Sequence, residues 1–256
     1  MKRFALLIAL TATLAACNTD PVLTATGSLG TYRYQITPGM SDAKIGTAMV
    51  LKLRLGSARV ASNASVSVTG PSAWNGGKPL RFTYPAGSDW VLSPETEIPP
   101  VTGAYTVSVS APQERGNPTQ SITLNLADSS AVLDFPTITL SDITRSSLTA
   151  NWTAVNSAGG YIARLFNGTD NVYLSAPQYL TALSAAFPAT GATLDLSPNK
   201  NNLVVINAAN FDTVIDDPAL PTQINLSDSA AFIQQPQTNS TRAVRRVAIP
   251  GLVVKP

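Results

Sequence analysis

Short runs of alternating apolar and polar side chains fill this chain, and glycine, proline, asparagine and aspartate separate them. Tyr32-Arg33-Tyr34-Gln35-Ile36, Met49-Val50-Leu51-Lys52-Leu53, Ser65-Val66-Ser67-Val68, Leu80-Arg81-Phe82-Thr83-Tyr84 and Tyr105-Thr106-Val107-Ser108-Val109 all repeat with a period of two. That period sends successive side chains to opposite faces of an extended strand, whereas a helix would need apolar residues three and four apart. About seven such strands within about 100 residues, separated by turn residues, predict an antiparallel sandwich. Gln120-Ser121-Ile122-Thr123-Leu124-Asn125-Leu126 is expected to be its last strand. Hydrophobic residues make up 44% of the chain against 12% charged, which is enough to build cores and argues against disorder. The expected fold class is all-β, with two tandem antiparallel β-sandwiches.

The N-terminus has another logic. Met1-Lys2-Arg3 is positive, Phe4 to Leu14 is apolar, and small residues follow, which is the layout of an export signal. The run is too short to span a bilayer, which takes about 20 apolar residues. Leu14-Ala15-Ala16-Cys17 resembles the lipobox of bacterial lipoproteins, and Cys17 is the only cysteine. The resemblance implies that residues 1–16 are a signal peptide removed in the mature protein. It also implies that Cys17 carries lipid and anchors the chain to a membrane of the bacterial cell envelope. Asn18 replaces the aspartate that signals inner-membrane retention in some Gram-negative bacteria, so an outer-membrane or cell-surface location is favoured. Residues 17–30, rich in Thr, Gly and Ser, read as a lipidated tether.

Charge excludes one class of partner. The precursor has 17 basic and 15 acidic residues, and losing Lys2 and Arg3 leaves 15 against 15. A protein so close to neutral offers no basic field for nucleic acid. The charge is uneven, however. Thr137 to Thr241 carries Arg145, Arg164 and Lys200 against seven aspartates, while the last segment has Arg242, Arg245, Arg246 and Lys255 and no acid. Those basic residues are read as a solvated or domain-covering final segment in preference to a patch for anionic envelope polymer.

Two resemblances refine the domains. Gly103-Ala104-Tyr105-Thr106-Val107 is similar to the step that begins strand F in immunoglobulin-like domains, where a tyrosine hydroxyl ties down a corner. This implies an immunoglobulin-like sandwich over residues 31–133, without the family's disulfide. Ile138 to Trp152 resembles the opening of a fibronectin type III module, with Leu148, Ala150 and Trp152 pointing inward along strand B. Gly160 to Phe166 matches strand C, Leu194, Leu196 and Pro198 the E strand and its turn, and Leu203 to Asn210 strand F. A fibronectin type III-like sandwich is therefore expected over residues 134–256, with a basic C-terminal segment. Counting six from Leu196 reaches Asn202 where that family has tyrosine, so its corner is absent or rebuilt. Ala243 to Ile249 is the expected final strand, with Ile224 to Ile233 as a competitor.

Chemistry is sparse. With no histidine and one cysteine, Ser-His and Cys-His catalysis and Cys/His zinc sites are ruled out. No Gly-x-Ser-x-Gly elbow or phosphate-binding Gly-rich loop with lysine occurs either. Glu95 and Glu97, or Asp216-Asp217 with Asp212 nearby, are the remaining carboxylate sets, and both read better as solvated loops than as a glycosidase pair or calcium site. Arg115-Gly116-Asn117 lacks the aspartate of an integrin-binding tripeptide. No enzyme, cofactor or metal is expected. Trp74 and Trp90 stand in turn-rich segments and are the candidate ligand-binding residues, for stacking on sugars or anchoring a protein. The expected role is a noncatalytic adhesion, scaffolding or binding module of the envelope. Its partners are a membrane, through the lipid, and an envelope protein or glycan. The alternatives are a carbohydrate- or peptidoglycan-binding lipoprotein and a glycosidase using Glu95 or Asp216.

Overall fold

A computed structural model describes residues 20–35, 43–95, 98–167, 172–189, 193–196 and 202–233, and the backbone of 253–255. The first sandwich contains β1 (Leu23–Gln35), β2 (Ala43–Leu55), β3 (Ala58–Arg59), β4 (Ala64–Thr69), β5 (Leu80–Tyr84), β6 (Trp90–Glu95), β7 (Gly103–Ser110) and β8 (Thr119–Leu126). One layer has the order β1-β2-β6, and the other β5-β4-β7-β8. The alternating residues do what their period demands. Val66, Val68, Val107 and Val109 point inward and meet Met49, Leu51, Leu53 and Val91 from the facing layer. At the entry to β7 the Tyr105 hydroxyl donates to the Val101 carbonyl at 2.6 Å, so the expected tyrosine corner is present.

The second sandwich contains β9 (Ile138–Ser141), β10 (Leu148–Trp152), β11 (Gly160–Asn167), β12 (Val172–Tyr173), β13 (Gln178–Leu180), β14 (Ser184–Phe187), β15 (Asn202–Ala209) and β16 (Gln223–Phe232). A three-stranded layer β14-β10-β9 faces β11, β15 and β16, with β12 and β13 pairing along the outer side of β11. Leu148, Ala150 and Trp152 enter the core as expected, together with Ala163, Leu165, Val204 and Ile206. Strand for strand, this is the arrangement of the first sandwich. Of the two candidates for the last strand, 224–233 takes the position beside β15, while 243–249 lies outside the described residues. With asparagine at 202, a different tyrosine ties the loop. Tyr161, at the start of β11, accepts a hydrogen bond from the Val155 N–H at 2.9 Å.

The two sandwiches are joined by a strand pairing. Leu29 to Tyr34 of β1 run parallel to Gln223 to Asp228 of β16, in six residue pairs. One ten-stranded sheet, ordered β12-β11-β15-β16-β1-β2-β6-β17 with β13 and β3 off the path, therefore crosses both domains. Its far member β17 (Val253–Lys255) pairs with β6, so the end of the second half returns to the first.

This corrects the tether reading. Residues 23–30 are strand, and their small residues serve close approach instead of flexibility. A Cβ at Gly30 would lie 1.5 Å from the Ile224 carbonyl oxygen, and one at Gly27 2.6 Å from that of Val50. Leu23, Ala25 and Leu29 belong to the first core.

The connection between domains is fastened over the seam. The Asp128 N–H donates to Gln223 Oε1 at 2.9 Å and Gln223 Nε2 donates back to the Asp128 carbonyl at 2.7 Å. The Ser227 hydroxyl donates to the Asp134 carbonyl at 2.6 Å, and the Thr31 hydroxyl to that of Ala131. Arg33 reaches Asp134 at 3.2 Å while its guanidinium lies 4.4 Å from the centre of the Phe135 ring. Beyond the seam, Lys52 of the first sandwich pairs with Asp217 and donates to the Pro218 carbonyl at 3.0 Å in the long loop of the second.

A candidate ligand surface on the four-stranded sheet

The structure withdraws the aromatic surface. Trp74 is 1% exposed and Trp90 is 0% exposed. Trp74 packs edge-on against Tyr105, and its indole N–H donates to the Thr47 hydroxyl at 3.0 Å, so it caps the first core from within. Trp90 is the first residue of β6 and meets Tyr179 and Phe211 of the second sandwich edge-on. Both rings lie where burying a large apolar surface is most favourable, and neither offers a face for stacking. The turn residues around them obscured this, because a side chain in a turn can still point inward.

The carboxylates do not gather either. Glu95 accepts a hydrogen bond from the Ser93 hydroxyl, and Glu97 lies outside the described residues. Asp212 accepts from the Val214 N–H at 2.8 Å, which shapes the long loop, and Asp217 is engaged by Lys52. Among the described residues no group of three or more Asp, Glu, His or Cys is placed to hold a metal. Cys17 lies outside the described residues.

Instead, the solvent face of β5-β4-β7-β8 carries a grid of hydroxyls. Strand register aligns Thr83, Ser65, Ser110 and Thr119 in one row and Arg81, Ser67, Ser108 and Ser121 in the next. A third row holds Thr69, Thr106 and Thr123. Rows formed across strands place neighbours about 4.8 Å apart, and successive rows are about 7 Å apart along each strand. The first two of these rows line a shallow groove. Arg81 is the sole charge among these eleven side chains. Hydroxyls both donate and accept, and each hydrogen bond to a ligand contributes about 0.5–1.5 kcal/mol net. Such a surface gains affinity only from an extended ligand that meets many of them at once. The signal was visible in the repeated Ser-Val-Ser-Val, Thr-Val-Ser-Val-Ser and Ser-Ile-Thr-Leu-Asn runs. Only the pairing register lines the rows up.

A second polar group is sealed inside the shared sheet. Asp228, opposite both Tyr34 and Asn207, accepts a hydrogen bond from the Tyr32 hydroxyl and is fully buried. Burial pushes its carboxyl up to about 6, against the pull of the Tyr32 hydrogen bond and the nearby Arg164 charge. Burial likewise raises the Tyr32 hydroxyl well above its ordinary value. Arg164 is itself 0% exposed. Asp228 sits in β16 between β1 and β15, so it belongs to the architecture of the seam.

No protein-family model matches the chain, and no curated protein sequence matches it. Among solved structures it is similar to a two-domain fibronectin type III segment of chicken tenascin, at 16% identity and a TM-score of 0.27. That likeness covers 84% of this chain and 99% of the other. It is also similar to fibronectin domains 1–3 of chicken CNTN1, at 11% identity and a TM-score of 0.26, covering 84% of this chain and 66% of that one. The strand pairings themselves establish the architecture, and the fold is all-β, built of antiparallel β-sandwich layers.

Proposed function

We propose that the protein is a noncatalytic binding or scaffolding module of the bacterial cell envelope, anchored through lipid on Cys17. The observation that carries this reading is the shared sheet. Two sandwiches joined by main-chain pairing and a fastened connection form a stiff body, suited to presenting a surface at a set distance from an anchor. Cys17 lies six residues before Leu23, so an extended tether would hold the body within about 20 Å of the membrane. The test is metabolic labelling with palmitate. Wild type is expected to take up label and fractionate with membranes, and Cys17→Ser to do neither. An unlabelled wild type that washes off membranes would overturn the anchor.

The hydroxyl grid favours a second reading, binding of a neutral polyhydroxylated polymer such as an envelope glycan. Ligand-facing hydroxyls without a basic field suit a neutral chain better than a phosphorylated one. Retention on insoluble peptidoglycan and on glycan arrays tests it. Ser67→Lys and Ser108→Lys are expected to abolish retention while leaving the melting temperature unchanged. Retention unaffected by both changes would remove the grid from the binding surface.

A further inference from the structure

We propose that one end of the first sandwich, formed by the loops 56–63, 85–89 and 112–117, is the surface that lies against lipid headgroups. The proposal rests on the reading that Cys17 is lipidated, and adds which face of the protein that anchor turns to the membrane. The chain is tied down before β1 begins. Asp20 pairs with Arg115, in the turn between β7 and β8, at 3.0 Å, and the Gly56 N–H donates to the Val22 carbonyl at 2.9 Å. A Cβ at Gly116 would lie 3.1 Å from Asp20 Oδ2, so the turn and the incoming chain touch. Asp20 is the third residue after Cys17, and even a fully extended link keeps the anchor within about 10 Å of this fastened point.

Strand pairing puts all three loops at the end where β1 starts. Leu23 lies opposite Leu55, Ala64 opposite Tyr84, and Ser110 opposite Thr119. The loops are also knitted to one another. The Gly87 N–H donates to the Val60 carbonyl at 2.8 Å and the Ala86 N–H to Asn63 Oδ1 at 2.9 Å. The Ser62 N–H and hydroxyl both donate to Glu114 Oε1, at 2.6 and 2.7 Å. Together they make a firm platform around the point where the chain enters.

The chemistry of this end suits a lipid surface. Arg54 and Arg59 both reach Asp89, Arg115 reaches Asp20, and Glu114 is held by Ser62, so the cations and carboxylates here cancel. A platform of paired charges brings few bare ions to the interface, and without net charge it needs no anionic lipid. Val22 exposes 68% of its surface beside the fastened chain. The seam then sets the second sandwich back. Gln223, where β16 begins, lies opposite Leu29, six residues along β1 from Leu23, which at the rise of a strand is about 20 Å farther from the membrane. The hydroxyl face rises from the platform along the side of the first sandwich, beside the membrane and not against it.

The test uses the lipidated protein in phosphatidylcholine vesicles that carry a nitroxide quencher on some headgroups. With Cys17 occupied by lipid, one added cysteine is the sole thiol open to a fluorophore. Quenching is expected to be several-fold stronger at Ser57→Cys and Gln113→Cys, on the platform, than at Ser72→Cys, at the opposite end of the first sandwich, or Asn156→Cys, in the second. Hydrogen exchange of the unsubstituted protein is a second measurement that requires no variant to fold. On vesicles, exchange at 56–58 and 112–117 is expected to slow relative to the soluble Cys17→Ser chain, while that at 72–78 stays the same. Equal quenching at all four positions, or the strongest at Ser72→Cys or Asn156→Cys, would overturn the facing surface and leave the anchor standing. Palmitate uptake measured on the same preparation separates the two claims. A protein that takes up none and does not join vesicles would overturn the anchor and the facing surface together.

Discussion

The two outer faces of the first sandwich have opposite characters. On β4, β7 and β8 the solvent side is a grid of serines and threonines, whereas on β1, β2 and β6 the corresponding side carries Tyr32, Ala48, Val50, Trp90 and Leu92, all buried. Those five side chains join Ile162, Ala209, Phe211, Ile224 and Leu226 of the second sandwich in a common core. A sheet face that would ordinarily meet water has been turned into an interior by adding strands beside it and a loop over it. The difference shows in the strand sequences. Ser-Val-Ser-Val alternates strictly and is wet on one side, while Ala-Met-Val-Leu in β2 and Leu-Val-Val-Ile in β15 run apolar without a break and are buried on both.

The strongest way to break this contrast is at the closest approach in the seam. Gly30→Val should force β1 away from β16, because even a Cβ would collide with the Ile224 carbonyl. The expected cost is about 3 kcal/mol or more, with the connection at 127–137 becoming a protease-sensitive site. Limited proteolysis with denaturant curves measures both. A variant as stable and as resistant as wild type would mean that the parallel pairing does not hold the halves together.

Trp90→Ala empties the middle of the common core and should cost about 3–5 kcal/mol. Because Trp90 touches Tyr179 and Phe211 across the seam, its loss should lower the stability of both halves. Trp152→Ala, with a similar loss of burial, should act on the second sandwich alone. Denaturant curves followed by hydrogen exchange distinguish the two. Identical exchange patterns in both variants would count against a shared interior.

The buried Asp228 gives the seam a pH dependence, with a definite sign. Its carboxyl titrates near 6 when folded and near the ordinary 3.8 when unfolded, so the folded state holds the proton more tightly. The resulting stabilisation is complete below about pH 4 and is lost as pH rises through about 6. Between pH 5 and pH 7.5 the chain should lose on the order of 1–2 kcal/mol from this group, and Asp228→Asn should flatten that slope. Thermal melts of both proteins across this range provide the check. A slope unchanged by the substitution would assign the effect elsewhere.

The smallest effect belongs to the wet face. Ser108→Val replaces an exposed hydroxyl on a strand where β-branched residues fit well, and its effect on stability should stay within about 0.5 kcal/mol. A loss as large as that at Trp90 would mean that the grid is packed against something and is not open to solvent.

Much of the fold was legible in the residues. Val66, Val68, Val107 and Val109 announced their faces by period, Trp152 its core position by company, and Tyr105 its corner by the residues before it. The candidate site was less legible. Trp74 and Trp90 looked like loop aromatics because glycine, proline and asparagine surround them, yet backbone turns do not decide where a large ring is buried. The hydroxyls of the grid were plain in sequence, but their rows depend on which strand lies beside which.

The sequence by itself determined the strands, the inward residues of each sandwich and the lack of histidine- or thiol-based chemistry. These depend on local period and on composition, which are properties of short segments. Only the tertiary structure decided that Leu23 to Gly30 is a strand, that β1 pairs with β16, and that both tryptophans are interior. A parallel pairing between residues nearly 200 positions apart leaves no local mark except the small residues that permit it. Glycines at 27 and 30 read equally well as a flexible tether or as room for a neighbouring backbone, and the difference is set by what arrives beside them.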